Sequence, residues 1–186
     1  MERAQTRKYE EYAYVLDFVT RGKSTTVKGR DGIIVTALGE ERLTILELLA
    51  LPNSTFEIGE RVYIGKEGRT KILSVLGRLE YNQISSSAQS ELASVIEKII
   101  TQNEPRFIDY LNNAQPLTPR IHALELIPGI GKTYMKTMLA EREKKKFTDF
   151  KDLQERVGLK EPAKQIAKRI IEEITGETRM NLFVRK

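Results

Sequence analysis

The 186-residue sequence predicts an α+β chain, with a small β-barrel first and a helical domain after it. Two observations carry that class. Up to residue 84, short runs of apolar, aromatic and β-branched residues alternate with turns containing Gly or Asn; beyond it, apolar residues recur at helical spacing. The boundaries read as 1–84 for the barrel, 85–115 for a helical connector, 116–176 for the domain built on glycine turns, and 177–186 for a tail.

Five strands are expected. Residues 12–19 are aromatic and β-branched, 33–38 form a short apolar run, and 43–51 are apolar apart from Glu47. Residues 61–65 and 72–84 complete the set, with turns at 28–32, 52–53 and 66–68. The 43–51 run also suits a helix. Five short strands at intervals near ten residues fit a small closed or partly open barrel, OB-like or SH3-like. Two of its loops are basic: Arg21, Lys23, Lys28 and Arg30 in one, Lys66, Arg69 and Lys71 in the other. Such loops bind single strands in OB-folds, together with aromatic residues on the barrel face. Tyr12, Tyr14, Tyr63 and Tyr81 are either stacking platforms or fillers of the barrel and its seam.

In the connector, Ser86 and Gln89 read as a capping box, followed by an apolar stripe of Leu92, Val95, Ile96, Ile99 and Ile100. The stripe is expected in a core that welds barrel to helical domain. A second helix is expected over 104–111 with Phe107, Ile108 and Leu111 inward, and a break at 112–116. The tail is apolar at Leu182, Phe183 and Val184, and either packs back on the barrel or serves a protein partner as a short strand.

The most informative stretch is LIPGIGK, from Leu126 to Lys132. Thr118 and Pro119 read as N-cap and first-turn proline of a helix with Ile121, Leu124 and Ile127 on one face. Pro128 ends that helix. Gly129 and Gly131 are expected at positive φ, exposing successive backbone N–H groups with no Cβ in the way. The next helix begins near Lys132 and aims its unpaired N–H groups and positive dipole end at the same point. Lys132 adds a mobile charge, and Lys136 and Arg142 are expected along the same edge. Lys144, Lys145 and Lys146 fit either a basic surface or a solvated helix terminus.

This pattern resembles the helix-hairpin-helix motif of DNA repair, recombination and competence proteins. Residues 147–153, FTDFKDL, look like the link that follows the first hairpin of competence-type DNA receptors. A degenerate second unit follows, with helices over 149–157 and 163–174, Ile166, Ile170, Ile171 and Ile174 inward, and a turn at 158–162. It keeps one glycine, Gly158. Barrel, two helices and a tandem hairpin domain carrying HALELIPGIGK at 122–132 together resemble an archaeal family known as domain of unknown function 655. That family is described as predicted nucleic-acid-binding proteins with an OB-like fold.

Charge agrees with a polyanionic partner. The chain has 31 Lys plus Arg against 26 Asp plus Glu; residues 118–186 hold 16 of the cations and 10 of the acids, so the excess of +5 lies with the hairpin domain. Several classes are excluded or disfavoured. There is no cysteine, so no thiolate nucleophile or Cys-based zinc site, and the single His122 has no partner for a metal pair. No apolar run approaches the ~18 residues of a spanning helix, and the first twenty residues lack a signal-peptide core. Base-excision glycosylases share the hairpin, but Thr133 stands where those that cut the backbone carry a catalytic lysine, and Asp149 and Asp152 fall in the link.

The expectation is a monomeric, cytoplasmic, non-enzymatic protein that binds DNA or RNA without sequence preference and needs no cofactor or metal. The primary contacts are assigned to Pro128, Gly129, Ile130, Gly131, Lys132, Thr133 and Lys136. Secondary contacts are assigned to Gly158, Lys160, Lys164 and the basic barrel residues. The alternative is an adaptor in a translation, repair or transcription assembly.

Overall fold

A computed structural model describes residues 9–186. They form two compact units, one reaching to Val95 and including Phe183–Lys186, the other Ile96–Leu182. The expected connector is shared between them: its helix begins in the first unit and ends in the second.

The first unit is built on five strands, β1 (Tyr12–Lys23), β2 (Asp31–Gly39), β3 (Ile45–Ala50), β4 (Arg61–Tyr63) and β5 (Ile72–Leu79). They pair in the order β4-β1-β2-β3-β5, all antiparallel, so the expected barrel is a partly open, curled sheet. Register shifts that leave extra residues on β1 and β5 increase its twist. Residues at alternate positions, including Ala13, Val15, Val35, Ala37, Leu46 and Leu48, close a core with Phe56, Val62 and Ile64 inside the curl. The opposite face is also buried at Tyr14, Leu16, Leu38 and Ile45. Burial on both faces explains why β3 reads as an apolar run without alternation, interrupted only by Glu47.

Between β4 and β5 there is no ladder, and Arg69 spans the gap. Its guanidinium donates to the Ile64 and Gly65 carbonyls beyond β4 and to the Leu73 carbonyl in β5, at 2.7–3.2 Å. Lys71 similarly donates to Glu60 and to the Thr55 carbonyl. Both therefore hold the sheet together, in contrast to the expected loop contacts. Arg21 and Lys23 lie at the end of β1 rather than in a loop. The loop after them is held by Glu47, a buried β3 carboxylate that accepts from the Ser24 and Thr26 hydroxyls and from the Thr25 and Thr26 N–H groups. Those four bonds hold its pKa below the usual carboxylate value although burial acts in the other direction. Of the four tyrosines, Tyr14 is fully buried, and burial with the Glu40 carboxylate beside it pushes its hydroxyl up to about 12. Tyr12 is half-buried between the edge of Tyr63 and the Arg61 guanidinium 3.5 Å above its ring.

Helix α1 (Ser86–Gln102) is capped by Ser85, whose hydroxyl accepts from the Ala88 N–H; the expected box at Ser86 is displaced by one residue, and Gln89 donates to the Tyr81 carbonyl instead. The whole expected stripe is buried. Helix α2 (Glu104–Asn113) buries Phe107, Ile108 and Leu111 as expected. Helices α3 (Lys132–Lys144), α4 (Phe150–Val157) and α5 (Pro162–Thr175) complete the second unit. In α5, Ile166, Ile170 and Ile174 are buried, while Ile171 is only partly so. The tail returns to the first unit: Phe183 and Val184 are buried and the Arg185 N–H donates to the Arg42 carbonyl.

Candidate nucleic-acid interface

The expected helix over 118–127 is not formed. Thr118 instead makes a local turn, its hydroxyl accepting from the Arg120 and Ile121 N–H groups, and Ile121 is exposed. The helical segment is a short 3-10 turn at Ala123–Leu126, capped by His122. His122 Nδ1 accepts from the Leu124 N–H at 3.0 Å, and Glu125 reaches back to the His122 N–H at 3.1 Å. This is a capping box with histidine in place of serine. Burial, then the charge of Arg142, hold the imidazole pKa below its ordinary value, which favours the neutral ring that can accept at Nδ1.

Ile127, Pro128, Gly129 and Ile130 then form a tight turn closed by the Ile130 N–H on the Ile127 carbonyl at 3.0 Å, with Gly129 at φ +82°. Proline second and a positive-φ glycine third is the residue pattern of a type II turn. Ile127 and Ile130 are buried and anchor it. Ile130 thus has its N–H in the turn and its side chain in the core, so it offers no direct contact, contrary to expectation. An added Cβ at Gly129 would meet the Gln165 amide at 2.7–3.1 Å.

Gly131 differs from the expectation as well. Its φ is −82° and ψ −175°, an extended N-cap for α3, so its value there is the absent side chain and not a positive φ. No side chain caps this helix, and the Met135 N–H is the first to bond, to the Gly131 carbonyl. The N–H groups of Lys132, Thr133 and Tyr134 are consequently left open. Lys132 is exposed and held only loosely, with Glu125 at 3.8 Å. Lys136, one turn on, is exposed too. The glycine N-cap, three open donors and two exposed lysines thus lie within the first two turns of α3, the kind of helix start that suits an anion.

The second hairpin lacks this arrangement. Gly158 is the left-handed C-cap of α4 at φ +82°, and Lys160 is exposed. Glu161, at φ +49°, is the N-cap of α5; Pro162 removes one donor and Glu161 pairs with Lys164 at 3.3 Å. An acid stands where an anion would have to approach.

Three arginines of the basic region face inward. Arg142, expected on the basic edge, donates to the Leu111 and Ala114 carbonyls. Arg156 donates to the Glu141 and Lys145 carbonyls and pairs with Asp152. Arg169 is buried, pairs with Glu173 at 2.9 Å and donates to the Leu126 and Met180 carbonyls, so it ties α5 to the end of the 3-10 turn. The exposed basic side chains of this unit are therefore mostly lysines, with Arg120 and Arg179 as well. Among the described residues no group of three or more acidic, His or Cys side chains is placed to hold a metal ion, and no helix is long and apolar enough to cross a membrane.

Comparison with known proteins places these features in a family context. The family described as "Protein of unknown function (DUF655)" matches residues 9–185. An uncharacterized protein of Methanocaldococcus jannaschii, MJ0038, is 41% identical over 178 residues, 96% of this chain and 80% of that protein. The crystal structure of Af1531 from Archaeoglobus fulgidus superposes with a TM-score of 0.84 at 38% identity, covering 95% of this chain and all of the other. On a match across nearly its whole described length, the chain belongs to the DUF655 family.

Proposed function

We propose that the protein is a non-enzymatic, sequence-non-specific nucleic-acid-binding protein that grips the sugar-phosphate backbone at its first hairpin, through Gly129, Gly131, Lys132, Thr133 and Lys136. The second unit is read as a tandem helix-hairpin-helix domain and the curled sheet as an OB-like platform that adds contacts. The observation that carries this reading is the glycine N-cap of α3, which leaves the Lys132, Thr133 and Tyr134 N–H groups open beside an exposed lysine. α4, by contrast, is closed by the Asp149 carboxylate on the Asp152 N–H. A backbone phosphate supplies the acceptor that α3 lacks, without reading a base.

Fluorescence titration against single- and double-stranded DNA and RNA at several salt concentrations tests it. Neutralising about two or three phosphates gives a log–log salt slope near −2 to −3 on the duplex scale. Absence of binding to all four nucleic acids at low salt refutes the reading and favours the adaptor.

A further inference from the structure

Where β4 and β5 remain unpaired, the first unit holds a cavity of about 470 Å³. That lies inside the range of ~300–1,000 Å³ usual for small-molecule sites. Its charge is one-sided: Arg42, Lys66, Arg69 and Arg78 line it, against the single acid Glu10. The Glu10 carboxylate is already engaged by the backbone N–H groups of Glu41 and Arg42. Arg69, fixed across the seam, contributes a stationary positive charge. The guanidinium groups of Arg42 and Arg78 have no hydrogen-bond or ion-pair partner among the described residues. Arg30 approaches from the neighbouring loop, its guanidinium 3.5 Å from the hydroxyl of Ser74, another lining residue. Guanidinium forks suit phosphate oxygens, and a concave site with one sign of charge focuses an anion.

The remaining walls are not those of a simple anion site. Leu46, Ile64 and Val75 provide apolar surface, and the Tyr9 ring, 64% exposed, stands in the lining with the Lys66 ammonium 5.2 Å from its centroid. Several guanidinium donors beside an exposed aromatic ring match a ligand that carries a phosphate at one end and a flat base at the other.

We propose that this cavity binds a nucleotide through a terminal phosphate, with Arg42 and Arg78 holding the phosphate and Tyr9 stacking the base. The choice of ligand rests on the nucleic-acid reading above; the site itself is separate from the hairpin. A free nucleotide and the phosphorylated end of a single strand share this chemistry.

The test uses the full chain and a trinucleotide labelled at its 3′ end, with or without a 5′-phosphate, in fluorescence anisotropy at low salt. The phosphate is expected to tighten binding about tenfold or more. In the folded double variant Arg42→Ala/Arg78→Ala that increment disappears; Tyr9→Ala weakens binding about fivefold while Tyr9→Phe does not. Lys132→Ala keeps the increment. Displacement of the probe by adenosine monophosphate assigns the site to free nucleotides, and failure to displace it assigns the site to strand ends; both support the proposal. Equal binding with and without the phosphate overturns it, as does an increment that survives the arginine substitutions or is lost in Lys132→Ala. Duplex binding without any phosphate increment removes this site and leaves the hairpin reading intact, whereas the increment without duplex binding does the reverse.

Discussion

Replacing each hairpin glycine by valine separates a strained position from an open one. At Gly129 the backbone sits at φ +82° and a new Cβ meets the Gln165 amide at 2.7–3.1 Å. Left-handed backbone costs an ordinary L-residue about 1–2 kcal/mol, and a β-branched one is poorly suited to it at all. Displacing the flexible end of Gln165 adds to this, for a total of roughly 2–3 kcal/mol. At Gly131 the backbone is extended, a Cβ meets nothing within 4 Å, and valine suits that conformation. Only the N-cap preference of glycine is lost, on the order of 1 kcal/mol or less. A unit of this size shifts its melting temperature by about 4–8 °C per kcal/mol, so Gly129→Val should melt at least about 8 °C below wild type and well below Gly131→Val. Thermal unfolding of the full chain followed by circular dichroism at 222 nm measures the difference. Nucleic-acid binding should reverse the order of interest: folded Gly131→Val loses affinity because its side chain shields the open N–H groups. If the two variants melt together, the strain argument at Gly129 is wrong; if Gly131→Val binds like wild type, no ligand approaches the backbone there.

Three further outcomes follow from individual side chains. Lys132→Ala should lower the magnitude of the salt slope by about one unit with only a modest loss of affinity, measured in the same titrations as wild type. Glu47 has a folded pKa below its unfolded value, so its stabilising contribution is present above about pH 4.5 and is lost as pH falls through the folded pKa. Glu47→Gln should therefore be less stable than wild type at neutral pH and approach it in acid, as read by urea unfolding at several pH values. Arg69→Lys cannot reach the carbonyls on both sides of the seam with one ammonium group. It should destabilise the first unit by about 1–3 kcal/mol and raise amide exchange at residues 64–65 and 72–75, detectable by hydrogen exchange.

Much of the fold is visible in the sequence because burial leaves a period. The α1 stripe and the inward residues of α2 recur at helical spacing, and β1 and β2 carry the β-branched residues that a pleated, buried surface favours. β3 is ambiguous in sequence for a physical reason: both of its faces are buried, so alternation vanishes. The segment before the hairpin misleads because Thr-Pro is a helix-start signal and a turn signal alike; here the Thr118 hydroxyl bonds its own next residues, and the true cap is a histidine, outside the usual capping set. In the candidate site, the two glycines and Lys132 are legible, whereas the conformation of Gly131 is not, since an absent side chain and a positive φ leave the same letter. The inward turn of Arg142 and Arg169 depends on carbonyls at Leu111, Ala114, Leu126 and Met180, which no local pattern announces. The cavity at the seam gathers residues from positions 9 to 78 and is invisible until the sheet curls.

The return of Phe183 and Val184 to the first unit has a consequence in time. During synthesis the sheet emerges early, but two of the buried residues of its unit follow only after Ile96–Leu182 has been made, about 4–17 s later at roughly 5–20 residues per second. Over that interval the first unit lacks two of its buried apolar side chains, while the intervening helices, whose contacts are more local, are free to form. The unit whose strands are made first is therefore completed only after the whole of the second has been synthesised.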